Sequence, residues 1–190
     1  MTIRILFFIS ILIVSSVAYA QLANQGLTSS ERRGKAIYLR GESTSGRKIT
    51  AMLGELDVPS STMTCGGCHG LRGEGKTEGG TTAGNLTWSN LVKTYGHTHP
   101  SGRKHGAFDE KLFTRSLIQG IDPAGNELAV AMPRYEMAPE DIADLIAYLK
   151  RIETDRDPGR RYRHRGKRHA DREGPEGHAR DAASRRSREV

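Results

Sequence analysis

Cysteine is nearly absent from this 190-residue chain: there are two, three positions apart, at Cys65 and Cys68. That excludes the disulfide framework on which many exported domains rely. A bond between these two would close only a tiny loop around Gly66 and Gly67 and add little stability. Beyond the first twenty residues no long apolar run exists, which excludes a later membrane span, since about 20 apolar residues are needed for one. No cysteine follows Ala20 where a lipid anchor would need one. No stretch alternates apolar and polar residues convincingly, so nothing reads as a half-buried strand. Evenly spread positive charge is missing too. The formal charge is +7, but from Glu153 onward twelve Lys/Arg face eight Asp/Glu, and residues 21–152 carry sixteen against fourteen. The basic balance is therefore no footprint for nucleic acid.

What is present begins with an export signal. In "MTIRILFFISILIVSSVAYA", Arg4 gives a positive start, residues 5–17 an apolar core of secretory length, and Ala18-Tyr19-Ala20 a cleavage site. Cleavage after Ala20 would release a chain into the periplasm. "LTSSERRGKAIYLRG" then predicts a helix from about Ser29 to Arg40, with Thr28 and Glu31 forming a capping box and Gly41 ending it. Gly34 weakens that helix by about 1 kcal/mol relative to alanine and suits a close approach by another helix. "DEKLFTRSLIQG" predicts a second helix capped by Asp109 and stopped at Gly120. "APEDIADLIAYLKRI" predicts the strongest. Pro139 opens it, Glu140 and Asp141 complement its dipole, and Ile142, Leu145, Ile146, Leu149 and Ile152 share a face. Residues 41–64 read as an irregular excursion, with room for one short helix or hairpin. The glycine-rich residues after the cysteines read as loop. The expected class is all-α: short helices joined by long loops. Such a domain has little apolar material for a core and calls for a staple such as a buried cofactor.

The two cysteines sit in "TCGGCHG", and Cys-x-x-Cys-His is the attachment signature of c-type haem. One helical turn spaces two thiols to add across the porphyrin's two vinyl groups, and His69 then offers its imidazole to the iron. Two rivals share the residues. A redox-active dithiol would want Cys65 after a buried strand of an α/β domain, and the surroundings are rich in glycine and serine instead. A zinc site would join Cys65 and Cys68 to two of His97, His99 and His105, and would leave the Cys-His adjacency and the export signal without a reason.

With "RGKAIY" in a first helix, "CGGCHG" near it, "AMPRY" late and "DIADLIAYL" in a last helix, residues 30–152 resemble the small monohaem class I cytochromes c. The resemblance extends loosely to bacterial domains with a "YGHTHP"-like segment. It implies one covalent haem c wrapped by short helices, with Gly34 and Tyr38 crossing Leu145 and Tyr148. It implies that Cys65 and Cys68 anchor the haem and that His69 and Met132, followed by Pro133, are the axial iron ligands, a pairing that raises the reduction potential. Met137 would be the first substitute for Met132. It further implies an electron carrier, not an enzyme, serving redox protein partners such as a dehydrogenase, an oxidase or another cytochrome. The second functional reading is a haem module whose sixth position takes a small ligand. For His97, His99 and His105 a polar-loop role is weighed against iron ligation, and for Trp88 a packing role against an indole hydrogen bond to a haem propionate. Two departures stand out. The excursion over residues 41–64 is long for the family. The proline whose carbonyl often steadies the proximal histidine is missing from "GGTTAGNL", so His69 has no assigned partner. From Glu153 to residue 190 almost no apolar residue remains, and a basic, disordered tail is expected.

Overall fold

A computed structural model describes residues 26–158; the export signal and the tail beyond 158 lie outside them. The chain opens with α1, Ser29–Arg40. Thr28 Oγ1 accepts from the Glu31 amide at 3.2 Å while Glu31 Oε2 accepts from the Thr28 amide at 2.6 Å, so the capping box forms as the sequence predicts. Gly41 ends the helix with left-handed backbone, φ 64°.

Residues 41–64 hold the hairpin for which the sequence left room. β1, Thr50–Leu53, turns at Gly54 (φ 62°) into β2, Leu56–Pro59, and a 3-10 turn over Ser60–Thr62 follows. The haem-motif helix α2, Cys65–His69, comes next. Then β3, Lys76–Glu78, and β4, Thr81–Ala83, pair across Gly79 and Gly80, both with positive φ, as a tight hairpin turn requires. A single-turn helix α3, Trp88–Leu91, leads to a minimal hairpin of β5, His97–Thr98, and β6, Lys104–His105. Helix α4 spans Glu110–Gln119, with Asp109 accepting from the Leu112 amide at 2.6 Å. β7, Arg134–Glu136, adds to the free side of β1, giving the order β2-β1-β7. Helix α5, Pro139–Leu149, and a 3-10 turn over Ile152–Thr154 complete the described chain.

The all-α expectation holds in part: the helices predicted over Ser29–Arg40, after Asp109 and from Pro139 are in place, and among the described residues three small antiparallel sheets join them. The strands escaped the period-two test for a physical reason. They are two to four residues long, and in β1 the consecutive residues Thr50 and Ala51 are both buried, after a buried Ile49. A strand covered on both faces does not alternate.

The helical corner follows the sequence closely. A Cβ at Gly34 would lie 1.9 Å from the Asp144 carbonyl oxygen and 2.8 Å from Tyr148 Cβ, so only glycine lets α1 and α5 cross here. Tyr38 and Tyr148 stack at a tilt beside the crossing, ring centroids 5.7 Å apart, and both are fully buried. Order extends beyond Ile152. Asp155 is buried, 2.6 Å from Lys35 Nζ, and accepts from Tyr148 Oη at 3.1 Å, so the residues after α5 are tied back to α1.

Candidate haem-binding site

Five residues of helix carry the motif. Cys65 and Cys68 fall on adjacent turns of one face of α2, the i, i+3 relation that brings side chains together. Both thiols are free; Cys65 is half-buried and Cys68 exposed. Burial pushes the Cys65 thiol up to about 12. The two glycines do different jobs. A Cβ at Gly66 would press on Leu39 Cδ2 at 3.0 Å and Tyr38 Cε1 at 3.2 Å, so this glycine seats α2 on α1, whereas at Gly67 only Thr64 Oγ1 lies within 4 Å.

His69 is buried, and its Nδ1 lies 2.6 Å from the Gly84 carbonyl oxygen. A carbonyl only accepts, so Nδ1 donates, leaving Nε2 as the lone-pair nitrogen. Burial holds this imidazole below the ordinary histidine range, with the Gly84 bond working in the opposite direction. The partner that the sequence left unassigned is therefore a glycine carbonyl. It is brought there by the β3–β4 hairpin, whose chain returns to His69 just after Ala83.

A cavity of about 240 Å³ opens beside α2. Cys65, Cys68 and His69 line it from one element and Met132 from the loop before β7, so all four residues singled out in the sequence meet on one hollow. Its walls are mostly apolar, with Leu91, Phe113, Leu117, Leu145 and Leu149 among them. The Met132 loop is held by its backbone: the Met132 amide donates to the Ala129 carbonyl at 2.9 Å, and Arg134 donates to the carbonyls of Met132 and Leu128. Met63 also lines the cavity, whereas Met137, the expected substitute, does not. Trp88 is outside the lining as well. It packs edge-on against Phe113, centroids 6.3 Å apart, beneath Lys150 Nζ.

His97, His99 and His105 converge on the same cavity from the β5–β6 hairpin, together with Arg103. His99 Nε2 lies 2.8 Å from His105 Nε2 and 3.0 Å from Arg103 Nη2, and Arg103 pairs with the fully buried Asp122 at 2.5 Å. Sequence reading missed Arg103, Asp122 and Gly84. The available signal was "DPAGN", in which Asp122 Oδ1 accepts from the Ala124 and Asn126 amides, both at 2.9 Å, and so fixes a turn. Among the described residues no group of three or more His, Cys, Asp or Glu comes together to hold a metal ion, so the zinc set of Cys65, Cys68 and two histidines does not assemble.

The donor set fits a covalently held haem. Two unpaired thiols stand on one helix, and an imidazole with Nδ1 committed and Nε2 bare shares an apolar hollow with a thioether. The comparisons agree. The family model described as "Cytochrome c" matches residues 60–153, so this part of the chain is a cytochrome c domain. The domain carries covalently attached haem c, and with two cysteines in the chain there is one attachment motif. No curated protein and no solved structure matches the chain significantly.

Proposed function

We propose that this protein is an exported, periplasmic cytochrome that passes single electrons between redox proteins, with Cys65 and Cys68 as the haem anchors, His69 as the proximal ligand and Met132 as the distal one. The observation that carries this reading is the convergence of those four side chains on one largely apolar cavity, with His69 Nδ1 already spent on Gly84. When bound, haem supplies the one-electron couple; the protein supplies anchoring, axial ligands and a site of low polarity. His69 contributes the stronger ligand. Its Nδ1–H bond to a carbonyl keeps the ring in one tautomer and one orientation. Met132 contributes a neutral, polarizable sulfur that favours the reduced iron. Leucine and phenylalanine around them exclude water, so the charge change on electron transfer meets little solvent.

Export is supported by the first twenty residues, and no helix among the described residues is long and apolar enough to cross a membrane. Exposed Cys68 lies at the cavity's edge, where a dehydrogenase, oxidase or second cytochrome would approach through a small, transient interface.

Mass spectrometry and absorbance of the exported protein test the reading. The mature chain is expected to start at Gln21 and to weigh one haem more than its residues. In the ferric state it should show the far-red charge-transfer band of thioether-ligated iron, lost in Met132→Ala. A mass equal to the bare chain would end the proposal. A haem-loaded protein whose spectrum is unchanged by Met132→Ala would remove Met132 from the iron and favour the small-ligand module.

A further inference from the structure

Met132 ends a loop that packing does little to hold. No residue from Leu128 to Met132 is buried, and Val130 is 81% exposed. What holds the loop is polar and comes from the first residue of β7. Arg134 donates through Nη1 to the Met132 carbonyl and through Nη2 to the Leu128 carbonyl at 3.3 Å, so one guanidinium closes residues 128–132 on themselves. A guanidinium only donates, and its rigid fork suits two carbonyls set close together. Gly120 leaves the room for it, since a Cβ there would fall on the Arg134 guanidinium. The Leu128 amide donates to the Gly120 carbonyl at 2.8 Å, which ties the near end of the loop to the close of α4.

Tyr135, the next residue, ties the same stretch to the haem-motif helix. It is buried, lines the cavity and donates to the Met63 carbonyl at 2.6 Å, two residues before Cys65. At the other end of α2 buried Tyr38 donates to the Gly70 carbonyl at 2.7 Å. Tyrosine hydroxyls thus pin both flanks of α2, and the one at Met63 belongs to the strand that follows Met132. Pairing with β1, where Ala51 stands opposite Tyr135, fixes that strand further. Cys65, Cys68, His69 and Met132 therefore share one frame, joined through Tyr135 and closed at the loop by Arg134.

We infer that Arg134 and Tyr135 form the strap that keeps Met132 in place as the distal ligand and so keeps the sixth position closed to small molecules. This rests on the haem-binding reading of the cavity, with Met132 on the iron. Both are positioning residues and act through Met132. A small molecule binds only the fraction of protein whose sixth position is open, so its apparent affinity reports how often the loop lets go. The strap thereby decides between two uses of one cavity: electron carrier while it holds, small-ligand module where it yields.

The test uses the matured holoprotein and its Arg134→Met, Arg134→Lys and Tyr135→Phe forms, with imidazole as the probe. Intact mass and the ferric far-red band come first. An unmodified chain without haem, or a loaded one without that band, overturns the underlying reading itself. With both in place, Arg134→Met is expected to bind imidazole about tenfold tighter or more, the size of losing hydrogen bonds from a charged donor. Its far-red band should disappear at correspondingly lower imidazole concentration. Tyr135→Phe should move both readouts the same way by less. Arg134→Lys, which keeps one charged donor, should fall between Arg134→Met and the unmodified protein. A part that merely stabilised the fold would lower the denaturant midpoint and leave imidazole affinity alone. Unmoved affinity in the loaded Arg134→Met and Tyr135→Phe forms therefore overturns the inference alone, whatever their stability. A measurement on the unmodified, reduced holoprotein covers the case of variants that fail to fold. Its Arg134 Nη protons should be separately resolved and slow to exchange, and a freely rotating, averaged guanidinium overturns the inference.

Discussion

Buried carboxylates meet basic side chains in two parts of this molecule, with different results. At the α1–α5 corner Asp144 is held by Arg33 at 2.6 Å and by Ser30 at 2.5 Å, and Asp155 by Lys35 and Tyr148. Each acid there is answered inside the fold. At the β5–β6 hairpin Asp122 answers Arg103, yet beside them His97 leaves its Nε2 buried without a partner among the described residues. The lesson is that closed pairs hold structure, whereas a buried polar atom left unfilled marks the place where something else belongs.

Breaking the corner gives the largest expected effect. Gly34→Val sets side-chain atoms against the Asp144 backbone, which cannot yield without moving α5, and is expected to cost about 3 kcal/mol or more, read as a lowered denaturant midpoint. Lys35→Met leaves Asp155 buried without its partner and is expected to cost about 3 kcal/mol, with the reduction potential of the holoprotein unchanged. Asp122→Asn sharpens the contrast. It loosens the 122–126 turn and leaves Arg103 unanswered, so it should lower stability and also raise the potential, which the corner variant does not.

Acid comes next in size. Burial works to raise the Asp144 and Asp155 carboxyls, but hydrogen bonds from Arg33 and Ser30 to the first, and from Lys35 and the Asp157 amide to the second, outweigh it and hold both below the usual carboxylate range. A depressed folded value means stability present above the ordinary carboxyl pKa of about 4 and lost as pH falls through the depressed values. Unfolding midpoints should therefore be level down to about pH 5 and decline below about pH 4. Arg33→Ala should have the smallest effect, since its side chain is 45% exposed and Asp144 keeps Ser30. A large loss there would show the corner to be more electrostatic than this comparison allows.

Legibility in the sequence divides along the same line. The corner was readable because helices announce themselves through caps, glycine placement and a 3.6-residue repeat. Thr28, Gly34, Tyr38 and the face from Ile142 to Leu149 all stand where the pattern put them. The Cys-x-x-Cys-His signature was readable because it lies in five adjacent residues, which the structure gathers on one short helix. What stayed hidden depends on backbone atoms and on distant pairs. The partner of His69 is a carbonyl, which has no side-chain signature, and it arrives through a hairpin of three-residue strands. Arg103 finds Asp122 across nineteen residues of turn and helix, and nothing local in either stretch foretells the meeting.

The unequal shelter of the two thiols bears on when the molecule is put together. Cys68 stands in solvent, while Cys65 sits half inside the fold, where burial pushes its thiol well above the ordinary range. A sulfur so guarded is a slow partner for a vinyl carbon once the first and last helices have closed around it. If Cys65 is a haem anchor as proposed, stitching at that position is expected in the young, unfinished chain, with the folded unit then keeping the bond out of reach.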